Sequence, residues 1–158
     1  MKSAERTLDL NELKDLGKQL LQSGQRANFS LGGNSMYPYL RNGDVATVAN
    51  LPMQDLKLGQ IVVFEQQGKW IAHRLVAIHR ADSRITLVSQ GDSTLKVDSP
   101  IGQDDYLGVL ESFSRNGERH QMNSFVARQM AWTMVNLRPI PQHVIRLYLR
   151  ITNRLFRA

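Results

Sequence analysis

No cysteine occurs anywhere in the 158 residues. Disulfide stapling, thiolate metal ligation and cysteine nucleophiles are therefore excluded. No apolar run approaches the roughly 18 residues that a membrane-crossing helix requires. The opening residues, Met1-Lys2-Ser3-Ala4-Glu5-Arg6, lead into a polar and acidic segment without the apolar stretch of a secretory signal. The expected location is accordingly the cytoplasm. No group of Asp, Glu and His shows metal-ligand spacing, and neither a G-x-x-x-x-G-K loop nor a dinucleotide fingerprint is present. Neither a metal nor a cofactor is expected. Internal repeats and low-complexity segments are also missing.

Lysine and acid both run out toward the C-terminus. Residues 115–158 hold eight arginines, no lysine and a single acid, Glu118. The preceding 114 residues carry 12 Lys+Arg against 13 Asp+Glu, so the net charge of +6 belongs to the tail. A localised basic segment is suited to an anionic lipid surface or an acidic partner. Nucleic acid is not expected as the partner.

What is present is a chain with 42% hydrophobic residues, enough for one domain with a core. Residues 9–22 read as an amphipathic helix, with Leu13, Leu16, Leu20 and Leu21 at helical spacing, Asp9 as N-cap and Gly24 as stop. From Ala27 to about Met122 the pattern is β. Val45–Ala49, Ile61–Phe64, Trp70–Ile78, Ile85–Ser89 and Tyr106–Phe113 are rich in β-branched and aromatic residues. Turn sequences bound them, among them Gln66-Gln67-Gly68-Lys69, Ala81-Asp82-Ser83 and Asn116-Gly117. This spacing predicts an antiparallel sheet system or a partly closed barrel.

A helical period returns over Ser124–Leu137. Pro139 and Pro141 are expected to break the chain before a last helix over Gln142–Arg157. In that helix Val144, Tyr148, Ile151 and Leu155 form an apolar stripe, and Arg146, Arg150 and Arg154 a basic one. Such a pattern fits an interfacial helix lying on an anionic membrane, through residues 142–158, and equally a helix packed on the β domain with a solvated arginine face. The first reading would make the protein peripheral on the inner membrane. The chain thus divides into an N-terminal helix (1–24), a β domain (25–122) and a basic helical extension (123–158).

Three segments carry chemistry. A serine hydroxyl becomes a nucleophile only beside a base and near donors for the developing oxyanion. In Gly32-Gly33-Asn34-Ser35-Met36-Tyr37-Pro38, two glycines before Ser35 allow an unusual backbone path. By itself this is also ordinary turn chemistry. In Trp70-Ile71-Ala72-His73-Arg74-Leu75-Val76, a histidine interrupts an apolar strand on the face shared by Ile71 and Leu75. An imidazole, with an ordinary pKa of about 6.5, serves as a base at neutral pH without help. In Ser89-Gln90-Gly91-Asp92-Ser93, with Asp98 beyond, either aspartate could hold the far ring nitrogen of His73.

Taken in order, these blocks resemble the signal peptidase I family. The nucleophile of that family lies in a G-x-S-M-x-P segment, matched by Gly33 to Pro38, followed at the same interval by Gly43-Asp44. Gly59-Gln60-Ile61-Val62-Val63-Phe64 resembles the next block, and Ala72-His73-Arg74-Leu75 the base segment. Gly91-Asp92 with Asp98 and then Gly108-Val109-Leu110 close the series, which spans about residues 29–111. The resemblance implies a mainly β, signal peptidase/LexA-like catalytic fold and a serine endopeptidase acting on an extended peptide or protein substrate, a leader, signal or propeptide segment. It makes Ser35 the nucleophile, His73 the base and Asp98 the orienting acid, with Asp92 as a supporting or rival acid. The loop Gly33, Asn34, Ser35 and Met36 would supply the oxyanion site. Histidine rather than lysine at the base position is similar to the archaeal and endoplasmic-reticulum branch. Two features depart from the family. Gly33 stands where many members have a serine, which leaves the oxyanion to backbone N–H groups. No N-terminal membrane anchor is expected, which weakens the case for an exported preprotein as substrate. Two other readings follow from the same residues: a LexA-like self-cleaving or regulatory module, and a non-catalytic peptide-binding domain.

Overall fold

Four consecutive apolar residues, Ile61-Val62-Val63-Phe64, cannot all face one side of a strand, because successive side chains point to opposite faces. In the computed structural model, which describes residues 9–82, 84–137 and 140–155, all four are fully buried. Ile61 and Val63 enter one core with Met36, Val48, Leu110 and Phe113. Val62 and Phe64 enter a second core with Leu75, Leu87, Ile101 and Val109. The sheet is therefore covered on both faces. Each such side chain contributes on the order of 1.5–3 kcal/mol by leaving water.

The elements run α1 (Leu10–Gln22), β1 (Ala27–Ser30), β2 (Val45–Ala49), a 3₁₀ turn (Met53–Asp55), β3 (Ile61–Gln66), β4 (Lys69–Ala81), β5 (Arg84–Gln90), β6 (Tyr106–Arg115), β7 (Glu118–Gln121), α2 (Phe125–Asn136) and α3 (Ile140–Leu155). The strands form one antiparallel sheet in the order β1-β2-β6-β3-β4-β5, with β7 also paired to β6. Two hairpins turn where expected. Gln67 and Gly68 (φ 51° and 70°) join β3 to β4, and Asn116 and Gly117 (φ 52° and 85°) join β6 to β7. Positive φ at both central residues gives the turn that matches strand twist. The mainly β class with flanking helices is as the sequence predicts.

Several boundaries differ from expectation. β7 was not expected: Glu118-Arg119-His120-Gln121 has no apolar alternation, and its partner β6 rather than its composition makes it a strand. α3 begins at Ile140, two residues earlier than expected, because Pro141 falls in the first turn, where a missing N–H costs nothing. Ser83, Pro139 and Arg157, together with the side chains of Arg154 and Leu155, lie outside the described residues, as does the segment 1–8.

α1 starts at Asp9, whose carbonyl accepts from Leu13 N–H (3.0 Å) while Glu12 reaches back to its N–H (2.9 Å). It ends with Gln25 N–H bonded to Leu20 and Gly24 N–H to Leu21. The helix is fixed to the β3–β4 hairpin. Lys14 Nζ donates to Gly68 O (2.6 Å), and Lys18 pairs with Glu65. Gly17 lies so near the Trp70 ring that an added Cβ would come within 2.7 Å of it. α2 is capped by Ser124, whose hydroxyl accepts from Ala127 N–H, and packs through Ala127, Ala131 and Met134, the middle one against Gly59.

Candidate active site

The site forms where three connections meet at one side of the sheet. The first is the loop from β1 to β2, which carries Ser35. Its base is closed by Leu31 N–H to Asp44 O (2.8 Å) and Gly43 N–H to Leu31 O (2.9 Å). Asp44, 2% exposed, accepts from both Nε and Nη2 of Arg115 (2.8 and 2.6 Å) and from Arg41 N–H (2.8 Å). Burial opposes its charge, but these donors prevail and hold the carboxyl below its ordinary pKa.

The second connection follows β5. Ser93 N–H donates to Ser35 O (2.9 Å) and the Ser93 hydroxyl to Asn34 O (2.7 Å). Gly91 lies directly under the Ser35 loop: a Cβ there would sit 2.6 Å from Ser35 O. Only glycine permits that approach, so the two loops are seated on each other.

β4 carries His73 and decides which of the two aspartates meets it. Adjacent strand residues point to opposite faces. His73 Nε2 lies 2.9 Å from Ser35 Oγ, and Nδ1 lies 2.7 Å from Asp98 Oδ2. The Ser89 hydroxyl also donates to Asp98 Oδ2 (2.6 Å), and Asp98 N–H is held by Ser89 O (2.9 Å). A carboxylate only accepts, so Nδ1 carries the proton and Nε2 is left to accept from the Ser35 hydroxyl. Arg74 points the other way. Its Nε and Nη2 donate to the two oxygens of Asp92 (2.7 and 2.6 Å), and its Nη1 donates to Gly59 O (2.8 Å). Both side chains of that pair are 1% exposed. Asp92 is therefore not the acid that meets His73. As the partner of a buried arginine it anchors the loop that underlies Ser35.

Ser35, His73 and Asp98, separated by 38 and 25 residues in sequence, thus form one hydrogen-bonded line. The side chains of His73 and Asp98 are 12% and 15% exposed, so the line is shielded yet reachable. Such a line is an arrangement that can activate a serine: a hydroxyl bonded to an imidazole whose far side faces a carboxylate. Among the described residues, nothing accepts from the N–H groups of Asn34, Ser35 and Met36. Gly33 N–H, by contrast, is taken by Asn42 Oδ1 (3.3 Å) and does not join them.

Sequence reading did not single out Ser89, or the pairing of Arg74 with Asp92. The signal for the latter was the adjacency of His73 and Arg74 on a strand, which places them on opposite faces and so before different partners. No group of His, Asp and Glu suited to a metal occurs among the described residues.

An apolar cavity of about 900 Å³ opens beside Ser35 and His73. α1 forms one wall through Leu16 and Leu20, and Phe29, Met36, Trp70 and Ile71 line the rest. Two unpaired strand edges flank it. Among the described residues, β1 pairs only with β2, and Lys69–His73 of β4 pair only with β3, because the ladder to β5 begins at Arg74.

The family model for Peptidase S24-like proteins matches residues 3–109, about two thirds of the chain. That span includes Ser35, His73, Asp92 and Asp98. No curated protein matches the chain.

Proposed function

Since the chain belongs to the Peptidase S24-like family, we propose that it is a serine endopeptidase that cuts a leader, signal or propeptide segment of another protein. The observation that carries this reading is the hydrogen-bonded line from Ser35 through His73 to Asp98. The Ser35 oxygen attacks the scissile carbonyl as His73 Nε2 takes its proton. The N–H groups of Asn34, Ser35 and Met36 are the candidate donors to the resulting oxyanion. His73 then gives the proton to the departing amine, and a water activated by the same nitrogen releases the acyl group from Ser35. Asp98 stabilises the imidazolium formed in each half-reaction.

The substrate binds in extended form between the free edges of β1 and β4, where main-chain hydrogen bonds hold it and the apolar cavity receives its side chains. Small residues just before the cut follow from the resemblance to signal peptidase I. The proposed location is the cytoplasm. The family match also favours a second reading, cleavage of the chain by itself. One experiment addresses both. The wild type, Ser35→Ala and His73→Ala proteins are incubated alone and with an unbiased peptide library, and products are mapped by mass spectrometry. Library cleavage confined to the wild type is the expected result. Defined fragments of the protein alone would establish self-cleavage, and undiminished cutting by Ser35→Ala would remove the proposed nucleophile.

A further inference from the structure

The C-terminal helices are seated the wrong way round for a water-soluble surface. On α3, Ile140, Val144, Leu147 and Ile151 recur every three or four residues and share one face. They are 68%, 63%, 60% and 51% exposed. The opposite face is the one turned inward: Gln142 is 2% exposed, and Ile145 and Leu149 are half-buried. α2 behaves alike. It docks through Ala127 and Met134 and leaves Phe125 and Trp132 outside, at 73% and 56% exposure. Nine of the fifteen exposed large hydrophobic residues among those described fall on 125–151, which makes this a patch rather than scatter.

We propose that α2 and α3 form a docking face for an anionic lipid bilayer, on which they lie flat. Charge complementarity selects this occupant. Arg128 and Arg150 are exposed beside the apolar face, Arg146 is half-buried, and no acidic residue follows Glu118. A bilayer of acidic lipids meets both the apolar stripe and its arginine border. Among the described residues no helix is long and apolar enough to cross a membrane, so the helices rest in the interface. Tyr148 of α3 stacks on Tyr37 with ring centroids 6.0 Å apart, two residues beyond Ser35. Docking would therefore hold the nucleophile loop close to the lipid surface. That last consequence rests on the peptidase reading, whereas the lipid contact does not.

The test is flotation of the full-length protein with vesicles of equal phosphatidylglycerol and phosphatidylcholine, against vesicles of phosphatidylcholine alone. The wild type should float with the anionic vesicles and lose most of that binding when salt is raised to about 0.5 M. Arg150→Gln should weaken partitioning about fivefold. Val144→Glu with Leu147→Glu should abolish it while leaving the thermal midpoint unchanged, since both side chains are already in water. A wild type that stays in the dense fraction would overturn the proposal, as would a double variant that floats like wild type. So would a concentration-dependent dimer removed by the double variant, or salt-sensitive binding to RNA without flotation. Cleavage of a soluble peptide, read in parallel, reports on Ser35 separately from the lipid contact.

Discussion

The strands around Ser35 and the two C-terminal helices use apolar residues in opposite ways. In β3 every apolar side chain is sealed, two in each core. In α3 the most regular apolar stripe of the chain faces outward while a glutamine is buried. The two regions also differ in how charge is handled. Around the site, Arg74 and Asp92, Arg115 and Asp44, and His73 and Asp98 are matched pair by pair. In the helices arginine stands without acid in the sequence around it. The contrast teaches that amphipathic periodicity locates a face but not its orientation. A paired charge belongs to a self-contained machine, and an excess of one sign points to something outside the molecule.

The comparison breaks most sharply at the nucleophile. Ser35→Ala should lower peptide cleavage by about 10⁴-fold or more, with an unchanged unfolding transition, as measured by initial rates and thermal melting. Asp98→Asn should follow at about 10²- to 10⁴-fold in kcat, because an amide no longer fixes the imidazole tautomer or balances its charge. The next effect is on stability. Asp92→Asn leaves Arg74 buried without its counter-charge and should cost about 3–5 kcal/mol in urea unfolding. Replacing both, Arg74→Met with Asp92→Leu, should recover much of that loss. A double variant no more stable than Asp92→Asn would contradict this account of the pair.

A smaller effect is expected from pH. Asp44 is held below its ordinary pKa of about 3.8, so the folded state binds the proton less readily than the unfolded chain. Its contribution is full above that value and disappears as pH falls through the lower folded value. Arg115→Met should flatten the acid limb of the stability curve, and an identical limb in the variant would exclude this source. The smallest change belongs to the helices. Val126→Ser should shift stability by less than about 0.5 kcal/mol, because the side chain is 66% exposed. A large loss there would mean that α2 is packed by its outer face.

Much of the site was legible before the fold because its parts are local signatures in a fixed order. The Gly33 to Pro38 segment, the histidine on an apolar strand and the acidic block after β5 name the three side chains that meet. The residues alone left the choice of acid open, and only the family resemblance favoured Asp98 over Asp92. Asp92 and Asp98 are both near enough in sequence to serve His73. Strand parity decides between them, turning His73 toward Asp98 and Arg74 toward Asp92. β7 escaped for a related reason: a polar edge strand is specified by a neighbour's open hydrogen bonds, which no composition reveals. The start of α3 was hidden because proline terminates a helix from within but is well suited to its first turn.

The hydrogen bonds that align Ser35, His73 and Asp98 bridge 38 and 25 residues, and Gly91 is pressed against Ser35 across a longer gap still. Contacts of such high order form only after distant strands have closed their loops. No short stretch of this chain can assemble the line by itself, since its members sit on a strand and two separate loops of one sheet. Completion of the topology thus acts as a timing device. A nascent or partly folded chain lacks the aligned serine, which exists only in a molecule whose sheet is already built.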